Sequence, residues 1–224
     1  DNEADQGAVV YAEHAARLSI TDTTITGSYG TDEGAVSAHR VDTVRVLRST
    51  FTDNTVDEGL ISEGAALSIW YGALQVEDST FTRNEASDGG AIALYFTTAE
   101  VLHSTFTDNW AYEGGAIRAF STTLTLEGAD LTTNAAFYHG GGLYLKDADV
   151  TVEGGRISGN IVESGGYGYG GAGAFVGADS RLSLTDNGVS GNEDEDVMVD
   201  TYEVYTLTEG AAYECSDEAC VEVK

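Results

Sequence analysis

From residue 117 to 132, apolar and polar side chains alternate in three short bursts: Ile117-Arg118-Ala119-Phe120, Leu124-Thr125-Leu126 and Leu131-Thr132. A period of two marks a strand with one set of side chains turned inward. Gly, Asn and Asp separate the bursts, as turns require. No segment carries an apolar stripe at i, i+3, i+4, i+7, so helices are not expected. Three strands in roughly 25 residues predict one triangular coil of a parallel β-helix.

The same unit recurs along the chain. Ser-Thr-Phe-Thr-Asp-Asn stands at 49–54 and 104–109, and Ser-Thr-Phe-Thr-Arg-Asn at 79–84. Looser copies end the series, so that closing asparagines fall at Asn54, Asn84, Asn109, Asn134, Asn160 and Asn192. Interleaved with them are Gly89-Gly90-Ala91-Ile92, Gly114-Gly115-Ala116-Ile117 and Gly140-Gly141-Gly142-Leu143. A fixed period between 20 and 50 residues is the mark of a solenoid. The expected fold is all-β, a right-handed single-stranded parallel β-helix of about 7–8 coils. Residues 1–192 form the coils, and 193–224, where the pattern breaks, form a C-terminal cap.

The recurring residues have mechanical roles. Phe51, Phe81 and Phe106 point inward as an aromatic ladder, continued by Leu131, Ile157 and Val189. The asparagines form a buried amide ladder, each bonding its neighbour one coil along, about 4.8 Å away. Glycine frees φ for the tight turn that follows. The alternating Gly-Gly-Ala-Ile and Phe-x-x-Asn phrases resemble those of the chlamydial polymorphic outer membrane proteins and related bacterial β-helix repeat proteins, over residues 29–192. That resemblance implies a surface-exposed passenger, often an adhesin. Those proteins continue into a membrane β-barrel, which residues 193–224 do not resemble.

Charge narrows the partners. Thirty-eight acidic residues against ten basic ones give a formal net charge of −28. Nucleic acid and anionic membrane surfaces would repel such a chain. The balance favours cations and neutral or basic partners, and with only Lys146 and Lys224 as lysines it also fits a surface adapted to high salt. No run of 18 apolar residues occurs, so membrane insertion by a helix is not expected. Cys215 and Cys220 are too few for zinc, and a small disulfide loop points to a secreted or cell-surface location. The chain opens on Asp1-Asn2, in phase with the asparagine turn, which predicts an upstream segment, a partner or end-to-end self-association.

Two edges gather chemistry. From asparagine to the following alanine (or its equivalent) the turn is 7 residues in Asn84–Ala91 and Asn109–Ala116, but 12 in Asn54–Ala66 and 14 in Asn160–Ala174. Trp110, Tyr112, Phe137, Tyr138, His139, Tyr167 and Tyr169 collect on this turn with Glu113, and such aromatics need something to pack on or to bind. Four places after the alanine, Trp70, Tyr95 and Phe120 are expected outward as an exposed ladder. Together these predict a platform that stacks on the sugar rings of a glycan while carboxylates accept hydroxyl hydrogen bonds. The alternative is that inserted loops cover the ladder.

Asp32, Glu33, Glu63, Asp88 and Glu113 precede the glycine turn in neighbouring coils, so like charges stack about 5 Å apart, which is costly unless a hard cation bridges them or salt screens them. Calcium is a candidate stabiliser rather than an assigned ligand, with Asp88 and Glu113 as candidate ligands, and the nonapeptide calcium-roll signature is absent. A polysaccharide lyase or hydrolase is the runner-up function, since paired carboxylates do acid–base work, but the arginines are scattered and no catalytic residue is assigned. The outward Thr-x-Thr arrays resemble those of ice-binding proteins, and threonine also simply favours strands. The reading is an extracellular binding or structural module.

Overall fold

A computed structural model of the chain describes residues 2–57, 62–164, 170–185, 188–193, 196–199, 203–204, 212–216 and 219–223, without side chains from 199 onward. These residues are all strand, bridge or turn, and the strands stack in parallel as a β-solenoid of about seven turns. One seven-stranded sheet runs Thr24–Thr26, Thr50–Thr52, Thr80–Thr82, Thr105–Thr107, Asp130–Thr132, Arg156–Ser158 and Gly188–Val189. The other two faces of each coil belong to a single sheet, because Val36–Leu47, Leu67–Glu77 and Ile92–Leu102 run unbroken through the corner between them. A fourth, shorter face fills the asparagine-to-glycine turn, as in Trp110–Glu113, Ala135–His139 and Ile161–Val162. Coils are numbered here by their first strand: Val10–Glu13 opens coil 1, Ile117–Phe120 coil 5 and Ala174–Val176 coil 7.

Inside, the expected ladders are present. Phe51, Phe81 and Phe106 are fully buried, and their rings stack in parallel at 5.0 and 4.7 Å. Burying each such ring contributes roughly 1.5–3 kcal/mol. Asn54 Nδ2 donates to Asn84 Oδ1 at 2.9 Å, and the relay continues through Asn109, Asn134 and Asn160 to Asn192. Each amide also donates to a backbone carbonyl of the preceding coil, as Asn109 does to Phe81 at 3.0 Å. The relay is unbroken from coil 2 to coil 7 because each of these coils repeats the residue, whereas in coil 1 Ser28 holds the position and donates its backbone N–H to Asn54 Oδ1 at 3.1 Å.

Corners are made by residues with left-handed φ. Where the side chain leaves the coil, ordinary residues occupy them: Arg48, Asp53, Asp78, Arg83 and Asp108 have φ between 46 and 57°. The turn into each first strand tolerates only glycine. A Cβ on Gly64 would lie 2.0 Å from the Leu67 carbonyl oxygen, and on Gly89 2.3 Å from that of Ile92. That clash explains why the Gly-Ala phrase repeats.

Beyond coil 7, Val197–Val199 adds one more parallel strand, paired with Ala174–Val176. Ala212–Ser216 then pairs antiparallel with Arg181–Thr185 and with Ala219–Val223, placing Cys215 opposite Cys220 in the backbone register. The two cysteine side chains lie outside the described residues.

Candidate functional site

The acids before the glycine turn form one column. Parallel bridges pair Glu33 with Glu63, Glu63 with Asp88, and Asp88 with Glu113. His139 follows Glu113 in register. Its first half is buried, with Glu33 5% and Glu63 4% exposed, while Asp88 and Glu113 are half-buried. Around the next corner the first strands bring a second column beside it, in the order His39, Trp70, Tyr95, Phe120.

Each acid is met by a donor from its own coil. Glu33 accepts from Ser37 Oγ and lies 2.7 Å from His39 Nε2. Trp70 Nε1 donates to Glu63 Oε2 at 2.7 Å, and Tyr95 OH to Asp88 Oδ2 at 3.2 Å. Arg118 Nε reaches both Asp88 (3.5 Å) and Glu113 (3.4 Å), with the rings of Tyr95, Phe120 and Tyr144 5.3–5.8 Å from its guanidinium carbon. Arg118 thus places a positive charge beside Asp88 and Glu113. Among the described residues no group of three or more metal-type ligands gathers.

These partners set the protonation of the column. Burial pushes the Glu63 carboxyl up to about 7, with Glu33 and Asp88 adding repulsion while bonds from Trp70 and Tyr95 pull it down. Burial also raises Asp88, against the pull of Arg118. Burial acts on Glu113 in the same sense, but His139 and Arg118 together outweigh it and hold this carboxyl below its ordinary value. The Tyr95 hydroxyl is pushed far up, chiefly by burial.

The aromatic ladder is not the open face expected from alternation. Tyr95 is only 5% exposed, because Trp70 stacks on it at 4.2 Å and Arg118 covers its other side. Trp70 and Phe120 are half-buried. The rings that do reach solvent are the next residues, Tyr71 and Phe96, 42% and 44% exposed. Both sit at corners with φ of 58° and 55°, a strained setting for a large side chain. They stack on each other at 5.0 Å and 9°. The signal was present in the doublets Trp70-Tyr71 and Tyr95-Phe96, since two adjacent aromatics cannot both belong to one face of a strand.

Gln6, Asp32, Glu33, His39, Arg40, Glu63, Trp70 and Tyr71 line a pocket of about 430 Å³ on coils 2 and 3. Two buried carboxylates form part of its wall, and Tyr71 forms its rim beneath the Arg40 guanidinium, 5.5 Å from the ring. The turn-edge residues lie elsewhere, and among the described residues several of them pack on one another. Tyr112 meets Trp110 at 5.1 Å, Phe137 at 5.9 Å and Tyr138 at 5.8 Å, leaving Phe137 36% exposed. His139 packs against Phe175 at 4.3 Å. Tyr167 and Tyr169 lie outside the described residues.

Fold and site together define a parallel β-solenoid repeat protein with an acid-and-aromatic pocket. Comparison with models of protein families, with curated proteins and with solved structures gave no match to the chain.

Proposed function

We propose that the protein is an extracellular, adhesin-like binding module that takes a glycan at the pocket of coils 2 and 3. The observation that carries this reading is the juxtaposition of the exposed, parallel Tyr71–Phe96 stack with the buried carboxylates of Glu33 and Glu63. An apolar pyranose face stacks on aromatic rings, and its hydroxyls donate to carboxylates. The volume falls within the usual ligand-pocket range of about 300–1,000 Å³. Likeness to surface passengers of the polymorphic outer membrane type and the Cys215/Cys220 spacing support a secreted or cell-surface location.

A screen of immobilised oligosaccharides tests the reading. Tyr71→Ser with Phe96→Ser is expected to abolish retention while the far-ultraviolet spectrum and melting point are kept. The turn-edge variant Trp110→Ala with Tyr138→Ala should bind normally, and loss of binding there would move the site to that edge. If the unaltered protein retains no oligosaccharide, the glycan reading ends.

A second reading rests on register. Thr24, Thr50, Thr80 and Thr105 align in one column, and Thr26, Thr52, Thr82, Thr107 and Thr132 in another, on one face. Such an array could order water at an ice surface, and thermal hysteresis at high protein concentration decides it.

A further inference from the structure

The column contains its own key to what the pocket accepts. Glu63 stands five residues before Ser68, as Glu113 stands five before Arg118. The register runs Ser37, Ser68, Ala93, Arg118. In coils 4 and 5 a guanidinium therefore lies between two carboxylates of successive coils, sandwiched by aromatic rings. In coils 2 and 3 the same carboxylates and rings recur, but the register position holds serine. There the column faces a cavity instead.

Among the described residues the segment is only partly neutralised. His39 lies on Glu33, Arg40 lines the pocket 5.5 Å from the Tyr71 ring, and no cation among those residues comes within 4.0 Å of Glu63. Asp32 adds another carboxylate at the mouth. A pocket walled by buried acids and aromatic rings favours a cation with apolar surface over a neutral molecule. At about 430 Å³ the cavity has room for more than a guanidinium, and Tyr71 in its lining stacks on Phe96.

We propose that this pocket takes an amino sugar, whose protonated amine lies between Glu33 and Glu63 while its ring rests on Trp70, Tyr71 and Phe96. The proposal rests on the glycan reading and narrows it to a cationic sugar. The complementary feature is geometric: the ligand's amine replaces the internal guanidinium that coils 4 and 5 carry.

Calorimetric titration at pH 7 with a β-1,4-linked glucosamine trimer, its fully N-acetylated counterpart and arginine amide tests it. The free-amine trimer is expected to bind at least tenfold tighter than the acetylated one. Glu63→Gln, which keeps the shape and can still accept from Trp70, should erase that discrimination. Glu33→Gln provides a second variant should the first fold poorly. Tyr71→Ala should weaken both sugars equally. Equal binding of the two trimers would overturn the cationic preference and leave the glycan reading standing. Binding of neither sugar would overturn both, and arginine amide binding as tightly as the free-amine trimer would replace the sugar with a guanidinium.

Discussion

Coils 2–3 and coils 4–5 place an acid at the same point of the same turn, yet neutralise it differently. Asp88 and Glu113 share Arg118, which aromatic rings shield from water. Among the described residues, Glu33 and Glu63 are met by His39 and neutral donors, with Arg40 across a cavity beside them. One region is closed around an internal guanidinium, whereas the other carries serine at the equivalent register positions, Ser37 and Ser68. A solenoid makes this comparison sharp, because backbone, register and neighbouring ladders are held constant while one side chain changes.

The largest loss should come from making the satisfied region resemble the open one. Arg118→Met keeps bulk beneath Tyr95 and Tyr144 but leaves the half-buried Asp88 and Glu113 without their cation. Breaking a fully buried pair costs about 3–5 kcal/mol, and the partial exposure of both carboxylates brings the expected loss down to about 2–3 kcal/mol. The loss should be greatest at pH 8 and smaller near pH 4, where both carboxyls can take up protons. Urea denaturation at the two pH values measures it, and a loss independent of pH would mean that packing, not charge, sets the role of Arg118.

The converse change, neutralising the open region, should stabilise. Glu63 titrates near 7 in the folded chain against an ordinary 4.5, so folding takes up a proton between those values. Stability contributed at this site therefore falls as pH rises through that window. The groups that face it are Glu33 and Asp88 along the column, Trp70 and Tyr95 beside it, and His39, Asp32 and Arg40 around the pocket. Glu63→Gln should gain on the order of 3 kcal/mol at pH 8 and almost nothing at pH 4.5. An unchanged denaturation midpoint at pH 8 would show that the Glu63 carboxylate is adequately solvated. Saturating the site with the amine ligand should reproduce part of the same gain in the unaltered chain.

Much of this contrast could be read from the residues alone, and some could not. Phe81, Asn84 and Gly89 announce their roles because identical phrases recur at one spacing, and repetition turns a local pattern into a long-range contact. The acid column was legible for the same reason. Arg118 was not, since it occurs once and acts only through neighbours one coil away. Tyr71 and Phe96 escaped because alternation locates strands but not the residue where a continuous strand bends, and there the side chain swings into solvent. The turn-edge group of Trp110, Tyr112, Phe137 and Tyr138 was legible as a cluster, because aromatic residues recur at the same turn of successive coils.

The Phe ladder, common to both regions, is the control. Phe81→Leu places there the residue that coil 5 already uses at Leu131. It removes stacking on Phe51 and Phe106, each pair worth about 0.5–1.5 kcal/mol beyond area. A loss of about 1–2 kcal/mol is expected, with amine affinity and its pH dependence unchanged. Altered ligand affinity in this variant would mean that pocket and core are coupled, and the two-region comparison would no longer isolate charge.

The smallest effect belongs to the ion pairs outside the coil. Arg83 donates to Asp53 at 2.7 and 2.9 Å, and Arg48 to Asp22 at 2.7 and 2.8 Å. Arg83 lowers the Asp53 carboxyl, mainly through that hydrogen bond. The contacts are shorter than the 3.4 and 3.5 Å around Arg118, yet these groups stand in water, where salt screens them and side-chain ordering cancels much of the attraction. Asp53→Asn also removes one charge from a chain that carries a net −28. Its denaturation midpoint should therefore stay within measurement error of the unaltered chain, at low salt and at 1 M salt alike. If Asp53→Asn instead destabilised as Arg118→Met does, burial would not be what distinguishes the ion pairs of this solenoid, and the special status given to the column at Glu63 would fall with it.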